Sequence, residues 1–291
     1  MPELPEVETI RRSLNRYVPQ IAVTKVLIHK PKLIHGGKAR AMQFFLKGKK
    51  FGIIERRGKL LIWPIANSSQ YLLTHLKMTG QFIYKDKNKI IAGGHSEKNS
   101  DDALVVPNKY THIEIYLKNG GIIYYNDMRQ FGYFKLVNQK QLAKVVQKFG
   151  IEPLTKGFTI NNFFQVLQTK KKSKIKQILL DQTKIAGLGN IYVDEILHAA
   201  RVRPTRRVGR LNLVEKKTLY QKITAILKRA VKERGTTFSD YLDADGNKGN
   251  YIKYLRVYGR AGEPCLTCKV GKIKKIKLVG RGTHYCPNCQ K

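Results

Sequence analysis

All four cysteines of this 291-residue chain lie in its last 27 residues, at Cys265, Cys268, Cys286 and Cys289. The spacing C-x2-C-x17-C-x2-C supplies four thiolates in two close pairs, the pattern of a tetrahedral zinc site. Two disulfides would use the same residues, but a chain kept in a reducing compartment disfavours them. No cysteine is left over to leave a coordination position open for water, so a single structural Zn2+ is expected. Between the pairs, KVGKIKKIKLVGRGTHY reads as a hairpin, and residues 265–291 carry seven Lys or Arg and no acid. A metal-stapled basic hairpin suits contact with phosphates. Arg281 sits near its tip between Gly280 and Gly282; the plainer reading is one more solvated charge.

The other end holds a second concentration of chemistry. Glu3, Glu6 and Glu8 are three of only 20 acidic residues and fall within the first eight positions. Acids in a first helical turn complement the helix dipole, which accounts for Glu6 and Glu8 but not for Glu3. Pro2 is small enough for Met1 to be removed, leaving a secondary amine. An α-amino group titrates near about 7.7–8.0, against about 10.4 for lysine, so a neutral nucleophilic fraction exists at neutral pH. Attack of a secondary amine on a sugar C1′ forms only a cationic iminium, an electron sink that favours elimination at the neighbouring carbon.

These residues need elements to hold them. Apolar Val7, Ile10, Leu14 and Val18 predict a helix over residues 5–18, opened by Pro5. From about 21 to 137 the pattern is of strands: KVLIH, FGIIERR, LLIWPIA, YLLTHL, QFIYK, HIEIYL, GIIYYN and GYFKLV, with Asn119-Gly120 marking a hairpin. Short strands separated by turns predict an antiparallel sandwich or barrel. Residues 85–109, poor in apolar side chains, read as an exposed loop. From about 139 to 234 the pattern is helical: QLAKVVQKFG, NIYVDEILHAARV from Asn190, and a long amphipathic helix over 213–234 stopped by Gly235. Residues 235–250 read as a glycine-rich loop. The fold class expected is therefore α+β multidomain: an antiparallel sandwich or barrel with an N-terminal helix over 1–137, a helical region over 138–254 and a cysteine-bearing hairpin over 255–291.

Fifty-six Lys and Arg against 20 Asp and Glu give a formal charge of +36, which attracts polyanions. Nucleic acid is the expected partner, bound in a salt-dependent way. An anionic membrane surface is the competitor, but the basic residues spread along the whole chain rather than gathering in a tail or amphipathic helix. No apolar run reaches the roughly 18 residues of a spanning helix. The N-terminus lacks the basic start and apolar run of a secretory signal, so a cytoplasmic location is expected.

MPELPEVETIRR, the lysine of RRGKLL, HLKMTG, DMRQFG, QTKKKSKIKQ, GLGNIY and the four-cysteine tail occur along the chain. Together they resemble the formamidopyrimidine-DNA glycosylases, base-excision enzymes for oxidised purines, over essentially the full length. The resemblance implies a β-sandwich, a helix–two-turns–helix domain and a zinc-finger hairpin. It implies Pro2 as the nucleophile at C1′ and Glu3 as the proton donor that opens the deoxyribose. Lys59 falls at a phosphate-facing lysine implicated in β-elimination, and Arg281 at the finger arginine linked to δ-elimination. Asn190 matches a residue that grips phosphate at a helix N-terminus; an ordinary N-cap is the alternative and the two are compatible. Met78, Arg129 and Phe131 match the residues that fill the gap left by an extruded base. Lys172 matches a DNA-contacting lysine, although its run could equally be a solvated face. GTTFSDYLDADGNKGNY resembles a loop that covers a flipped oxidised purine.

The chain departs from the family pattern at Gln130, where a second basic residue is common. It departs also at Tyr110 and Thr111, which replace His-Asp before His112; Tyr110 and His112 mark the expected DNA contact there. The 85–109 stretch is longer than usual. The implied activity is a bifunctional glycosylase and abasic-site lyase acting on damaged double-stranded DNA as a monomer, with no diffusible cofactor. The rivals are a non-catalytic, zinc-stapled nucleic-acid binder and a relative of the endonuclease VIII type that prefers pyrimidines.

Overall fold

The computed structural model describes residues 1–87, 90–94, 105–236 and 250–291. They form two compact units, Met1–Gln147 with Glu233–Ile252, and Lys148–Lys232 with Lys253–Lys291. The second unit joins the C-terminal hairpin to the helices. Among the described residues no helix is long and apolar enough to cross a membrane.

The first unit opens with α1 (Leu4–Asn15), whose Val7, Ile10 and Leu14 are buried as their spacing requires. The helix ends earlier than its apolar pattern, and Val18 is buried beyond it. Two antiparallel sheets follow. One has the order β1-β7-β8-β5-β6, from Val23–Ile28, Thr111–Leu117, Ile122–Asp127, Gly80–Lys85 and Ile90–Gly94. The other has the order β2-β3-β4-β9, from Glu55–Arg57, Leu60–Pro64, Gln70–His75 and Tyr133–Asn138. Aromatic rings join them: Trp63 and Phe134 of the second sheet meet Phe82 of the first at 5.3 and 5.9 Å, and Phe134 meets Tyr125 at 4.8 Å. Each strand alternates faces, so these rings share one interior with Val7, Ile10 and Leu14 of α1. The buried Trp63 indole donates to Thr74 Oγ1 at 2.9 Å. Two helices complete the set, α2 (Ala39–Leu46) against β1 and α3 (Gln139–Val146), which Asn138 and Gln141 start with a capping box.

The 85–109 stretch is not simply a loop. Ile90–Gly94 pairs with β5 in the register Tyr84↔Ile91, and Val106 is buried against Ile83 and Tyr124. The pairing partner, not local apolar content, makes this strand: β5 would otherwise be an open sheet edge.

The second unit contains α4 (Ile160–Gln168), α5 (Ile175–Leu180), α6 (Asn190–Ala199) and α7 (Leu213–Lys232). It ends in the antiparallel hairpin β10 (Lys274–Leu278) and β11 (Arg281–Tyr285). Leu219, Ile223, Leu227 and Ala230 form the buried face of α7, and α6 packs between α5, α7 and β11. The fold class is α+β, as the pattern of elements requires.

Candidate active site

In the first unit the chemistry starts at the N-terminus. Pro2 is buried, and Glu3, 2% exposed, stands at the N-cap of α1. The Glu3 N–H donates to Glu6 Oε2 at 2.9 Å, closing a capping box that orients the first three residues. Glu6 also accepts, at Oε1, the Thr236 N–H at 2.8 Å and its hydroxyl at 3.1 Å. Gly235, at φ +85°, lies against that carboxylate; a Cβ there would come within 2.6 Å of Oε1. Of the expected covering loop over 235–251, residues 237–249 lie outside the described residues.

Glu8 does more than complement a dipole. It accepts from Arg11 at 2.8 and 3.0 Å, from Arg12 at 2.8 Å and from Arg56 at 3.1 Å. Burial alone would raise its carboxyl; the hydrogen bonds from Arg11 and Arg12 and the charges of Arg11 and Arg56 outweigh this and hold it at about 2. Arg56 in turn donates to Gly58 O at 2.8 Å, in the two-residue turn from β2 to β3. That turn presents Lys59, 5% exposed. The guanidinium therefore ties α1 to the backbone immediately before Lys59. Across the sheet, Leu60 pairs with His75, whose Nδ1 accepts the Lys77 N–H at 2.9 Å. Burial, then the Lys77 and Lys59 charges, push His75 down to about 3, so it stays neutral with its proton on Nε2.

Met78 and the pair Arg129 and Phe131 lie on two separate turns, 76–79 and 127–132. One fully buried carboxylate, Asp127, fastens both. Its Oδ1 accepts from Thr79 Oγ1 at 2.5 Å, and its Oδ2 accepts from Gly132 N at 2.8 Å and Tyr125 OH at 3.3 Å. Thr79 Oγ1 accepts the Arg129 N–H at 3.0 Å. A Cβ at Gly132 would collide with the Tyr125 hydroxyl, so glycine is required there. Held this way, Arg129 and Phe131 are exposed, with the guanidinium 4.8 Å from the ring centroid. Met78 is half-buried. Gln130 takes a left-handed φ of 55° between them.

Tyr110 is half-buried, and its carbonyl accepts the Asp127 N–H at 3.0 Å. His112 is 1% exposed and donates from Nε2 to Asp127 O at 2.9 Å; burial lowers its pKa against the opposing pull of that bond. In this structure His112 braces the 127–132 turn from behind rather than facing outward.

The second unit gathers Lys172, Asn190, Arg281 and the cysteines. Lys172 is exposed in the α4–α5 turn. Four residues on, Lys176 is fully buried and bonds Asp194 Oδ1 at 2.5 Å. The basic run thus has exposed lysines and one structural ion pair among them. Asn190 is the first residue of α6, with Gly189 rather than Asn190 as the N-cap. Gln182 shapes the preceding turn, accepting from Gly187 N and donating to Leu180 O and Leu188 O at 2.8–2.9 Å. Asn190 Nδ2 donates to Gly282 O at 2.8 Å, while its buried Oδ1 has no partner among the described residues. Gly282 follows Arg281, which is exposed beyond the Val279–Gly280 turn, where both φ angles are positive as in a type I′ hairpin.

The four Sγ atoms lie within 4.8 Å of one another, with Cys265–Cys289 and Cys268–Cys286 each at 3.7 Å. Four Zn–S bonds of about 2.3 Å in a tetrahedron require S–S separations of about 3.8 Å, whereas a disulfide requires about 2.05 Å. Backbone N–H groups point at the sulfurs, Gly271 at Cys268 (3.3 Å) and Cys289 at Cys286 (3.4 Å), as thiolates need. The residues present fit a four-thiolate zinc ion.

The formamidopyrimidine-DNA glycosylase N-terminal domain matches residues 1–134, the helix–two-turns–helix domain of the same enzymes matches 149–241, and the zinc finger shared with isoleucyl-tRNA synthetase matches 262–291. The chain belongs to the formamidopyrimidine-DNA glycosylase family. It is 40% identical to the formamidopyrimidine-DNA glycosylase of Pelotomaculum thermopropionicum, over 100% of this chain and 99% of that one. It is 37% identical to that of Listeria monocytogenes, over the whole of both. Among solved structures it is similar to the Lactococcus lactis enzyme in complex with abasic-site DNA, at a TM-score of 0.86 and 33% identity over 99% of each chain. It is equally similar to that enzyme bound to DNA containing N7-benzyl-Fapy-dG, at 0.86 and 33% over 100% of both. The chain is a DNA glycosylase carrying one structural Zn2+, and abasic-site lyase activity is typical of the family.

Sequence reasoning did not single out Asp127, His75, Arg56, Asp194 or Glu195. Glu195 is buried and accepts three successive N–H groups, from Arg256, Val257 and Tyr258, at 2.8–2.9 Å. The signal available for Asp127 was an acid between a strand and a glycine in a strongly basic chain.

Proposed function

We propose that this glycosylase excises oxidised purines from duplex DNA through Pro2 and then cuts the strand at the abasic site. The observation that carries the reading is the buried Pro2-Glu3 step, oriented by the Glu3–Glu6 capping box in a chain that matches the family throughout. In the full chain Pro2 N is an amide without a usable lone pair; loss of Met1 makes it a secondary amine. Its nitrogen bonds C1′ as the base departs with its bonding pair and takes up a proton. Glu3 delivers a proton to the ring oxygen, the C1′–O4′ bond breaks and the iminium forms. Loss of a C2′ proton then expels the 3′ phosphate, and a second elimination expels the 5′ phosphate. Water finally releases Pro2.

Lys59 faces phosphate in this reading, with Arg56 holding its turn, and Arg281 assists the second elimination. Met78, Arg129 and Phe131 occupy the space of the flipped base, which costs a few kcal/mol to extrude. Asn190 and Lys172 contact phosphates, and Tyr110 contacts the DNA from the first unit; His112 acts through the turn that it braces. The four reduced thiolates suit the cytoplasm. Borohydride should trap a covalent complex with 8-oxoguanine DNA, mapping to residue 2 of a chain lacking Met1. Full activity from a protein that retains Met1 would refute the Pro2 mechanism. Glu3→Gln removes the acid and keeps the shape, so base excision should fall by about 10²–10⁴-fold while cleavage of a preformed abasic site falls less.

A further inference from the structure

Asn190, Asp194 and His198 recur every four residues on α6 and therefore share one face. Each meets the hairpin module. Asn190 Nδ2 donates to Gly282 O at 2.8 Å, Asp194 Oδ2 accepts the His284 N–H at 2.8 Å, and His198 Nε2 lies 3.6 Å from Cys265 Sγ. The first two contacts set the register of β11 along the helix. The third reaches a metal ligand and is used by neither the proposed chemistry nor the register.

We infer that His198 is a positioning residue for the zinc site, donating its Nε2–H to the Cys265 thiolate from α6. Four thiolates around Zn2+ carry a formal charge of −2. Cys265 and Cys286 are 0% exposed, so water cannot stabilise that charge and N–H donors must. Cys268 and Cys286 draw theirs from the backbone of their own knuckles, Gly271 and Cys289. Cys265 instead faces a side chain from a different element, 67 positions away in sequence. A metal-bound thiolate has no proton, so at this contact the imidazole is the donor and its tautomer is set. Such outer-sphere partners change metal affinity by about 10–100-fold. His198 is itself 5% exposed, so the contact is shielded from solvent competition.

The test uses the full-length, zinc-loaded protein and two readouts: zinc release to a chromogenic chelator, and the thiolate-to-metal charge-transfer band after Co2+ substitution. His198→Phe fills the site without an N–H; release should accelerate about 10–100-fold and the band should shift. His198→Gln carries an amide N–H close to the Nε2 position and should restore both, whereas the shorter His198→Asn should not. Wild-type release and an unshifted band in His198→Phe would overturn the inference. So would identical behaviour of the Gln and Asn variants, which decides the matter even if the Phe variant fails to fold.

Discussion

The two ends of the chain solve one problem, holding a few charged groups still, by opposite means. The N-terminal unit surrounds its candidate residues with a large aromatic and aliphatic core and anchors the turns on buried carboxylates, Glu6, Glu8 and Asp127. The zinc module has a core of little more than Val257, Ile273 and its own cysteines. A segment that small cannot offset its chain entropy by burial, so a metal must do it. The difference teaches that position can be bought with apolar volume or with ligand bonds, and that each leaves a different vulnerability.

Removing zinc should have the largest effect. Metal binding at such sites contributes about 10–16 kcal/mol at pH 7, so chelation should melt the hairpin and abolish DNA binding. The chain's single tryptophan, Trp63, is 0% exposed in the other unit and reports on that unit alone. Its emission should stay unchanged on chelation; a red shift would break the comparison.

Acid should act on the opposite end. His75 is depressed to about 3 from 6.5, so the unfolded state binds more protons between those values and stability falls as pH drops through that window. Glu8, held at about 2 against 4.5, adds a loss as pH falls below 4.5. The combined effect is on the order of a few kcal/mol. The Trp63 transition in urea should move to lower denaturant at pH 4 than at pH 7, and His75→Phe should flatten that dependence.

Asp127→Asn should cost about 1–3 kcal/mol for each donor left unsatisfied. Because the same carboxylate fastens the turns bearing Met78, Arg129 and Phe131, excision of a damaged base should weaken more than binding to undamaged duplex. Equal loss of both would show that the two turns are held independently. Lys172→Ala should change stability least, within about 0.5 kcal/mol as an exposed substitution. It should reduce the salt dependence of DNA binding by about one phosphate contact.

Four cysteines at fixed spacing specify the zinc site locally, because two short knuckles supply all the ligands. The hairpin between the cysteine pairs was equally legible, since a hairpin needs only neighbouring residues; its turn falls at Val279–Gly280, just before Arg281. The helical faces of α1 and α7 followed from apolar periodicity, as did most strands. The 90–94 strand did not, because what defines it is its backbone pairing with β5.

The sequence by itself determined the class of elements, the metal chemistry, the polyanion-attracting charge and the concentration of acids around Pro2. Each depends on residue type or on spacing within a few turns of chain. Only the tertiary structure decided which charges face solvent and which are structural. Lys172 and Lys176 belong to one basic run, yet one is exposed and the other is sealed against Asp194. Glu8 reaches 48 positions along the chain to Arg56, and Asp127 reaches 48 to Thr79. A buried charge must find its partner wherever the fold brings one, because the low-dielectric interior makes an unpaired charge too costly, and no local pattern encodes where that partner will be.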